Sequence, residues 1–230
     1  DLYKDAKDKS NRLAFDLYDK VKKKVRASKD KLLTAIESAI AGNIIDFGVK
    51  NSLNVEKELE KIMSEENKMI KNENKIFFAY DDFKNKLERS KKIIYLADNC
   101  GETVFDRVLI EEIQNLYPSV EVIYSVKEKP ILNDALLEDA VFCGIDKICK
   151  TVSTGSVIPG TVLKLCSAEF LEIYKDADMV ISKGQGNFES FVDDNKPVFY
   201  LFMAKCPVVA KEVGCETGNI NLFYNKGVNL

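Results

Sequence analysis

Acidic, amide and lysine side chains, rather than histidines, are the residues of this chain that could do chemistry. The 230 residues include 37 Asp and Glu, 34 Lys and Arg, six Cys and no His. Without imidazole, a Ser-His-Asp or Cys-His nucleophile system and a histidine metal ligand are excluded. Any reaction must therefore use carboxylates, amides, hydroxyls, thiols, lysines or a metal ion held mostly by oxygen.

Two stretches carry the residue types that hold a hard metal ion. Asp98 and Asn99 directly follow the apolar run 93–97, and Asp134 follows the next such run. Two carboxylates and an amide carbonyl suit Mg²⁺ or Mn²⁺, because they cancel the charge of the ion and leave positions for water or substrate oxygen. Two other interpretations stay open here: Asp98 could cap the following helix, and Asp134 could lie in the first turn of its own helix.

Lysines and glycines near the same stretches predict an anion site. Lys183 and Lys205 would face the anion, and Gly184 allows a close approach of the backbone. Backbone N–H groups in this glycine loop or at Ser153–Ser156, which includes Thr154, could also cradle a phosphate. A metal, lysines and a glycine-rich loop together favour phosphoryl chemistry, which depends on positioning and charge stabilisation. Taken singly, the glycines could be turn residues and Lys205 a surface lysine.

The apolar pattern changes near residue 90 and predicts two regions. We predict a helical subdomain at 1–90 and an α/β metal-binding catalytic domain at 91–230. In the second region, short continuous apolar runs alternate with helical patterns, which is typical of a parallel sheet buried on both faces. Polar residues follow all five runs, at the sheet edge where such proteins bind ligands. The predicted strands are 93–97, 120–126, 147–152, 178–182 and 198–203.

Helices are predicted before and between the strands. Leu13, Leu17 and Val21 recur at helical spacing, and a second helix capped by Ser28 ends at Gly42. The other predicted N-terminal elements are helices at 55–63 and 81–89 with a polar loop at 64–74. The predicted elements between the strands are helices at 103–116, 133–143 and 161–175 and a looser connection at 188–194.

Bulk composition excludes several classes of partner. The net charge of −3 argues against a nucleic-acid binder, and no apolar run approaches the roughly 18 residues that span a bilayer. No signal-peptide pattern is visible. The cysteines form no CxxC pair, so we expect reduced thiols in a cytoplasmic protein, with Cys100 packed rather than reactive. A homo-oligomer stays open.

The stretches that carry these residues resemble the DUF89 family, the metal-dependent damage-control phosphatases that include the ARMT1-like proteins. The resemblance covers nearly the whole chain and is nearest to the glycine-loop subgroup. It implies a three-layer α/β/α Rossmann-like core with a mostly parallel sheet and a helical N-terminal subdomain. The matching stretches are Gly-Asn-Ile-Ile-Asp at 42–46, 98–106 with its Asp-Asn-Cys-Gly-Glu start, Asn-Asp at 133–134, Ser-Thr-Gly at 153–155 with Pro-Gly-Thr at 159–161, and 177–189 with its Lys-Gly-Gln-Gly-Asn segment.

The resemblance also implies an activity, which is hydrolysis of phosphate esters of small metabolites, including damaged or side-product ones. The implied metal lies on Asp98, Asn99 and Asp134, and Co²⁺ and Ni²⁺ join Mg²⁺ and Mn²⁺ as family metals. Lys205 matches a family lysine near the substrate phosphate. The predicted catalytic residues are thus Asp98, Asn99, Asp134 and Lys205. Together with the residue chemistry, the predicted substrate-binding residues are Asn43, Asp46, Glu102, Ser153, Thr154, Lys183, Gly184 and Asn187.

Two other functions stay open. An S-adenosylmethionine-dependent carboxyl methyltransferase is disfavoured, because residues 98–101 lack the glycine-rich turn that usually receives that cofactor. A non-catalytic metal or metabolite binder would not need lysines and amides around the acidic ligands. Relatives that act on sugar phosphates carry an arginine where this chain has Glu189, so the resemblance implies no sugar-phosphate specificity.

Overall fold

A six-stranded sheet organises the residues that the structure describes. The computed structural model describes residues 1–45, 78–191 and 196–225. The strands run in the order β3-β2-β1-β4-β5-β6, and all pairs are parallel except β5 with β6. The strands are β1 (Lys92–Leu96), β2 (Glu121–Val126), β3 (Lys150–Ser153), β4 (Met179–Lys183), β5 (Val198–Met203) and β6 (Ile220–Asn225). The mostly parallel sheet is therefore confirmed, and β6 is a strand that we did not predict.

Eight α-helices and three short 3₁₀ turns accompany the sheet in the described residues. None of these helices is long and apolar enough to cross a bilayer. The helices are α1 (Lys4–Ala27), α2 (Lys31–Ala41), α3 (Tyr80–Arg89), α4 (Glu102–Leu116), α5 (Leu137–Phe142), α6 (Ala168–Asp176), α7 (Gln185–Phe191) and α8 (Pro207–Val213). The 3₁₀ turns are Gly42–Ile45, Ile145–Lys147 and Leu163–Leu165. The predicted helix 55–63, the predicted loop 64–74 and Asp46 lie outside the described residues.

The observed boundaries of several helices and strands differ from the predicted ones because of local capping and turns. Asp30, not Ser28, caps α2, since its side chain accepts a hydrogen bond from the Leu33 backbone. The predicted helix 161–175 divides because Ser167 starts α6 by accepting from the Phe170 backbone. The predicted strand 147–152 begins at Lys150, since the residues before it complete a 3₁₀ turn.

Two further differences concern the segments nearest the strand ends. The predicted helix 133–143 begins only at Leu137, because the preceding residues pair with the segment after β1. Residues 188–191 of the looser connection predicted at 188–194 belong instead to α7, which starts at Gln185, directly after β4 and Gly184, and residues 192–194 lie outside the described residues. The first change brings loop residues, including Asp134, next to the segment that follows β1.

Side chains of each central strand alternate between two apolar layers. Ile93 and Tyr95 of β1 join a core with α1, α2 and α4, whereas Ile94 and Leu96 join a second core with α6, α7 and α8. The three-layer α/β/α arrangement is therefore confirmed. The first core contains residues from both sides of residue 90, because α1 and α2 pack against α4.

Glu37 is a buried carboxyl on the inner side of α2. The residue is 1% exposed, and within the described part of the chain its Oε1 has no hydrogen-bond partner. Burial raises the pKa of Glu37 from 4.5 to about 7, the nearby Asp30 adds to the rise, and Lys24 opposes it. Between these two pH values the folded chain therefore holds a proton that the unfolded chain has released.

We predict that stability falls as the pH rises from about 4.5 to 7, and that Glu37→Gln removes this part of the fall. The variant has no proton to release, whereas the wild type must bury a carboxylate above pH 7. Denaturant titrations at pH 5 and pH 8 measure the effect, and comparison of the two proteins cancels the other titrating groups. The gain from Glu37→Gln should be about 2 kcal/mol larger at pH 8. An equal gain at both pH values would contradict the assignment.

Candidate metal and phosphate site

The centre of the sheet has the geometry of a ligand crevice. From β1 the chain continues to β2 and β3 on one side, whereas β4 lies on the other side of β1 and continues to β5. Loops leave neighbouring strands in opposite directions at such a switch point, and a crevice opens at the carboxyl ends. β1 leads there to Asp98, and β4 leads to Lys183 and Gly184.

The three predicted metal ligands lie on two backbone segments that pair with each other. Asn99 and Asp134 form an isolated antiparallel bridge, and the Ala135 backbone N–H donates to the Asp98 carbonyl at 2.9 Å. Gly101, not Asp98, precedes the first residue of α4, and Asp134 lies outside α5. The alternative interpretations of both acids as helix-end residues are therefore wrong.

Gly184 is required by the position of the Asp98 carboxylate. A Cβ atom on Gly184 would lie 2.0 Å from Asp98 Oδ2, and the backbone of Gly184 has a φ of +81°. A larger residue would displace the carboxylate and strain the backbone. Gly184 therefore brings the β4 loop against Asp98.

Two amide side chains donate to the same two carboxylates. Asn43 Nδ2 lies 3.3 Å from Asp98 Oδ2 and 2.5 Å from Glu102 Oε1. Asn99 Nδ2 lies 2.9 Å from each of the same two oxygen atoms. The Oδ1 atom of Asn43 is buried and has no hydrogen-bond partner among the residues that the structure describes. A buried amide oxygen in this state is an available ligand for a cation or for a donor group.

Lys183 lies beneath this cluster and ion-pairs with two carboxylates. Its side chain is 1% exposed, and Nζ is 2.9 Å from Glu102 Oε2 and 2.7 Å from Asp106 Oδ1. The hydroxyls of Tyr95 and Tyr124 also donate to Asp106, at 2.7 and 2.8 Å. Burial alone would lower the pKa of Lys183, but Asp106 and Glu102 raise it above its usual value. We expected Lys183 to face a bound anion, and in the structure its ammonium is enclosed by these carboxylates.

The carboxylates of the site are short of positive charge. Burial raises the pKa of Asp98 well above its usual value, Glu102 and Asp134 add to the rise, and Lys183 and Lys205 oppose it. Burial also raises the pKa of Asp134 to about 6. A cation bound between these acids would favour their ionised forms.

Lys127 is a site residue to which we assigned no role from the sequence. It follows β2 and is 4% exposed. Its Nζ lies 3.7 Å from Asp134 Oδ2 and also donates to the Gly160 carbonyl. Burial lowers the pKa of Lys127, and Asp134 counters part of this effect. The ammonium therefore links Asp134 to the loop that follows β3.

Asn187 holds the floor of the crevice through three hydrogen bonds. Its Nδ2 donates to the carbonyls of Ala97 at 3.0 Å and Lys183 at 2.8 Å, and its Oδ1 accepts from Thr161 Oγ1 at 2.8 Å. Both amide protons are thus engaged between β1, β4 and the loop after β3. A direct contact of Asn187 with substrate stays a prediction.

The remaining predicted residues lie further out. Ser153 Oγ donates to Glu128 at 2.5 Å, and the Thr154 backbone N–H donates to the Val126 carbonyl. Both residues lie at the end of β3, and β2 separates them from β1. Lys205 is exposed at the end of β5, and its charge lowers the pKa of Asp98. Cys100 is buried, and all six cysteines are free thiols.

The donor set fits a hard divalent cation that keeps water or substrate ligands. Asp98 and Asp134 offer carboxylate oxygen, Asn99 offers the Oδ1 atom of an amide whose Nδ2 is held by Asp98 and Glu102, and Asn43 offers a buried amide oxygen without a partner in the described residues. Within residues 1–45, 78–191 and 196–225, no three His, Cys, Asp or Glu side chains form a group that could hold a metal. A cation here would therefore depend on amide, water and substrate oxygen as well as on the two acids.

The chain is an α/β protein with a mostly parallel sheet, and it carries a cluster of carboxylates and amides at the switch point of that sheet. Within that class, residues 1–220 match the damage-control phosphatase ARMT1-like domain. The chain belongs to this family.

Relatives from archaea show the extent of the match. An uncharacterized protein of Methanocaldococcus jannaschii is 42% identical over 95% of this chain and 72% of its own length. A damage-control phosphatase of Pyrococcus horikoshii is 39% identical over 95% of this chain and 72% of its own length. The crystal structure of that Pyrococcus protein, described as a DUF89 family protein, superposes with a TM-score of 0.85 at 37% identity. This superposition covers 98% of this chain and 76% of the Pyrococcus chain.

We predict that Gly184→Ala weakens Mn²⁺ binding at least about tenfold, because the new Cβ must displace the Asp98 carboxylate. Gly218→Ala is the matched control, since Gly218 has a similar φ of +93° but nothing within 4 Å of the new Cβ. Titration calorimetry on both variants separates displacement of Asp98 from backbone strain. Equal Mn²⁺ affinity in the two variants would contradict this role of Gly184.

Proposed function

We propose that this protein is a metal-dependent phosphatase that hydrolyses phosphate monoesters of small metabolites, including damaged ones. The observation that carries the proposal is the pairing of the Asp98–Asn99 segment with Asp134 at the switch point of the sheet. The relatives named damage-control phosphatases support the reaction class.

Asp98, Asn99 and Asp134 would hold the metal, with Mg²⁺ or Mn²⁺ favoured by their oxygen atoms and Co²⁺ or Ni²⁺ as further candidates. When bound, such an ion polarises a phosphoryl oxygen and makes a bound water more acidic. The chain contains no histidine, so this chemistry cannot come from an imidazole base.

Glu102 orients the amides of the site rather than contacting substrate directly. Its Oε1 accepts from Asn43 and Asn99, and its Oε2 accepts from Lys183. These bonds hold the Nδ2 atoms of both amides against Glu102. Preorganised groups of this kind lower the barrier because they need no rearrangement during the reaction.

Lys205 is the residue best placed to meet the phosphate from solvent. It is exposed at the end of β5, and its backbone N–H donates to Gln185 Oε1 at 3.1 Å. Gln185 in turn donates to Glu189 at 2.9 Å. We assign Lys205 to the phosphoryl oxygens, whereas the acidic Glu189 would disfavour a second phosphate on the substrate.

We predict that Asp98→Asn and Asp134→Asn each lower hydrolysis of an aryl phosphate at least about 100-fold with Mn²⁺, because each removes a charged ligand. The matched control is Asp178→Asn, an exposed acid at the amino end of β4 that binds the Lys91 and Lys92 backbone. A colorimetric assay with Mg²⁺, Mn²⁺, Co²⁺ or Ni²⁺, and with a chelator, measures all three variants.

Full activity of both site variants, or undiminished activity after removal of metal, would refute the proposal. Mn²⁺ binding without turnover over a panel of phosphometabolites would indicate a non-catalytic binder. Micromolar binding of S-adenosylmethionine in the presence of chelator would instead favour a transferase.

A further inference from the structure

We infer that Asn11 on α1 is a positioning residue that ties together the two segments carrying the metal ligands. The N-terminal helix would then set the geometry of the site, although it contributes no ligand. This inference rests on the proposed metal site and adds a residue to which we assigned no role from its sequence context.

The side chain of Asn11 bridges two segments that lie far apart in the chain. It is 2% exposed, and its Oδ1 accepts from the Gly101 backbone N–H at 2.7 Å. Its Nδ2 donates to Asp139 Oδ1 at 2.7 Å. Gly101 lies two residues after Asn99, so one end of the bridge holds the Asp98–Asn99 segment.

The other end of the bridge reaches Asp134 through Asp139. The Asp139 Oδ2 atom accepts from the Leu136 backbone N–H at 2.8 Å, and Leu136 lies two residues after Asp134. Lys7, one turn before Asn11 on α1, ion-pairs with the same oxygen at 2.9 Å. Asp139 is thus held by two side chains of α1 and itself holds the segment that carries Asp134.

The chemistry of the partners fixes the orientation of the Asn11 amide. A backbone N–H group can only donate, so the atom facing Gly101 must be the amide oxygen. An ionised carboxylate can only accept, so the atom facing Asp139 must be the amide nitrogen. No flipped amide and no residue without both a donor and an acceptor can make the same bridge.

The bridge complements the direct pairing of the two segments. Asn99 and Asp134 already form a backbone bridge with each other, and Asn11 joins the same segments from the α1 side. Two separate attachments fix the spacing and rotation of the ligand segments better than one. Residues that orient metal ligands typically change metal affinity 10- to 100-fold when removed.

A purely structural role of Asn11, the docking of α1, can be separated by experiment. The hydroxyl of Tyr18 on the same helix donates to Glu111 Oε1 and Oε2 at 2.7 and 2.9 Å. This contact docks α1 on α4 without touching either ligand segment. Tyr18→Phe is therefore a matched control that loosens α1 and leaves the bridge intact.

The experiment measures Mn²⁺ affinity of the full chain by titration calorimetry, with the melting temperature of the metal-free protein as the stability readout. We expect Asn11→Ala to raise the Mn²⁺ dissociation constant roughly 10- to 100-fold. Asn11→Asp, which keeps the size of the side chain but places a carboxylate against Asp139, should also raise it at least about tenfold. Tyr18→Phe should lower the melting temperature with a change in the dissociation constant below about twofold.

The outcomes separate this inference from the proposed function. Unchanged Mn²⁺ affinity in Asn11→Ala, or equal weakening in Tyr18→Phe, would overturn the bridge while leaving the metal site intact. If Asn11→Ala does not fold, the affinity of Asn11→Asp decides in the same way. Failure of the wild-type chain to bind Mn²⁺ would overturn the proposed metal site and the bridge together. A further supporting result is recovery of kcat in Asn11→Ala at saturating Mn²⁺, since a bridge that acts through the metal should be compensated by more metal.

Discussion

The buried ammonium of Lys183 is the interaction on which the rest of the site depends. Glu102 and Asp106 lie one turn apart on α4 and are both buried, and two carboxylates cannot share such an interior without a cation. Lys183 supplies that cation from the end of β4. The hydroxyls of Tyr95 and Tyr124 complete the bonding of Asp106, so the network joins α4 to β1, β2 and β4. The amides of the site are oriented by the remaining oxygen of Glu102.

The ion pairs of Lys183 determine how much positive charge remains for the other acids of the crevice. Because its charge is shared by Glu102 and Asp106, it compensates Asp98 only in part, and Asp134 relies on Lys127 at 3.7 Å. Burial raises the pKa of both acids, the neighbouring carboxylates add to the rise, and a divalent cation bound between them would oppose it. Lys205, which we propose binds the phosphate, is exposed at the rim. From the surface to the core, the site thus contains the exposed Lys205, the acids Asp98 and Asp134, and the buried Lys183.

The features that were predicted correctly from the sequence are those that depend on local sequence patterns. Continuous apolar runs identified β1 to β5, and the strand-end rule placed Asp98 near Gly184. β6 was missed because its antiparallel return depends on pairing with β5, and its sequence includes Asn221 and Asn225. The direction of the Lys183 ammonium depends on α4, which no strand pattern encodes. Asn11 was missed because its two hydrogen-bond partners lie 90 and 128 residues away in the chain. The available sequence signal for it was a polar residue on the buried face of α1, one helical turn before Ala14.

The most direct test of the account is anomalous diffraction from crystals grown with Mn²⁺. The account predicts an anomalous peak within coordination distance, about 2.0–2.6 Å, of oxygen atoms of Asp98, Asn99 and Asp134. Lys183 should remain paired with Glu102 and Asp106 in the same crystals. A peak elsewhere would contradict the central claim. So would the absence of a peak at this site when the protein binds Mn²⁺ in solution.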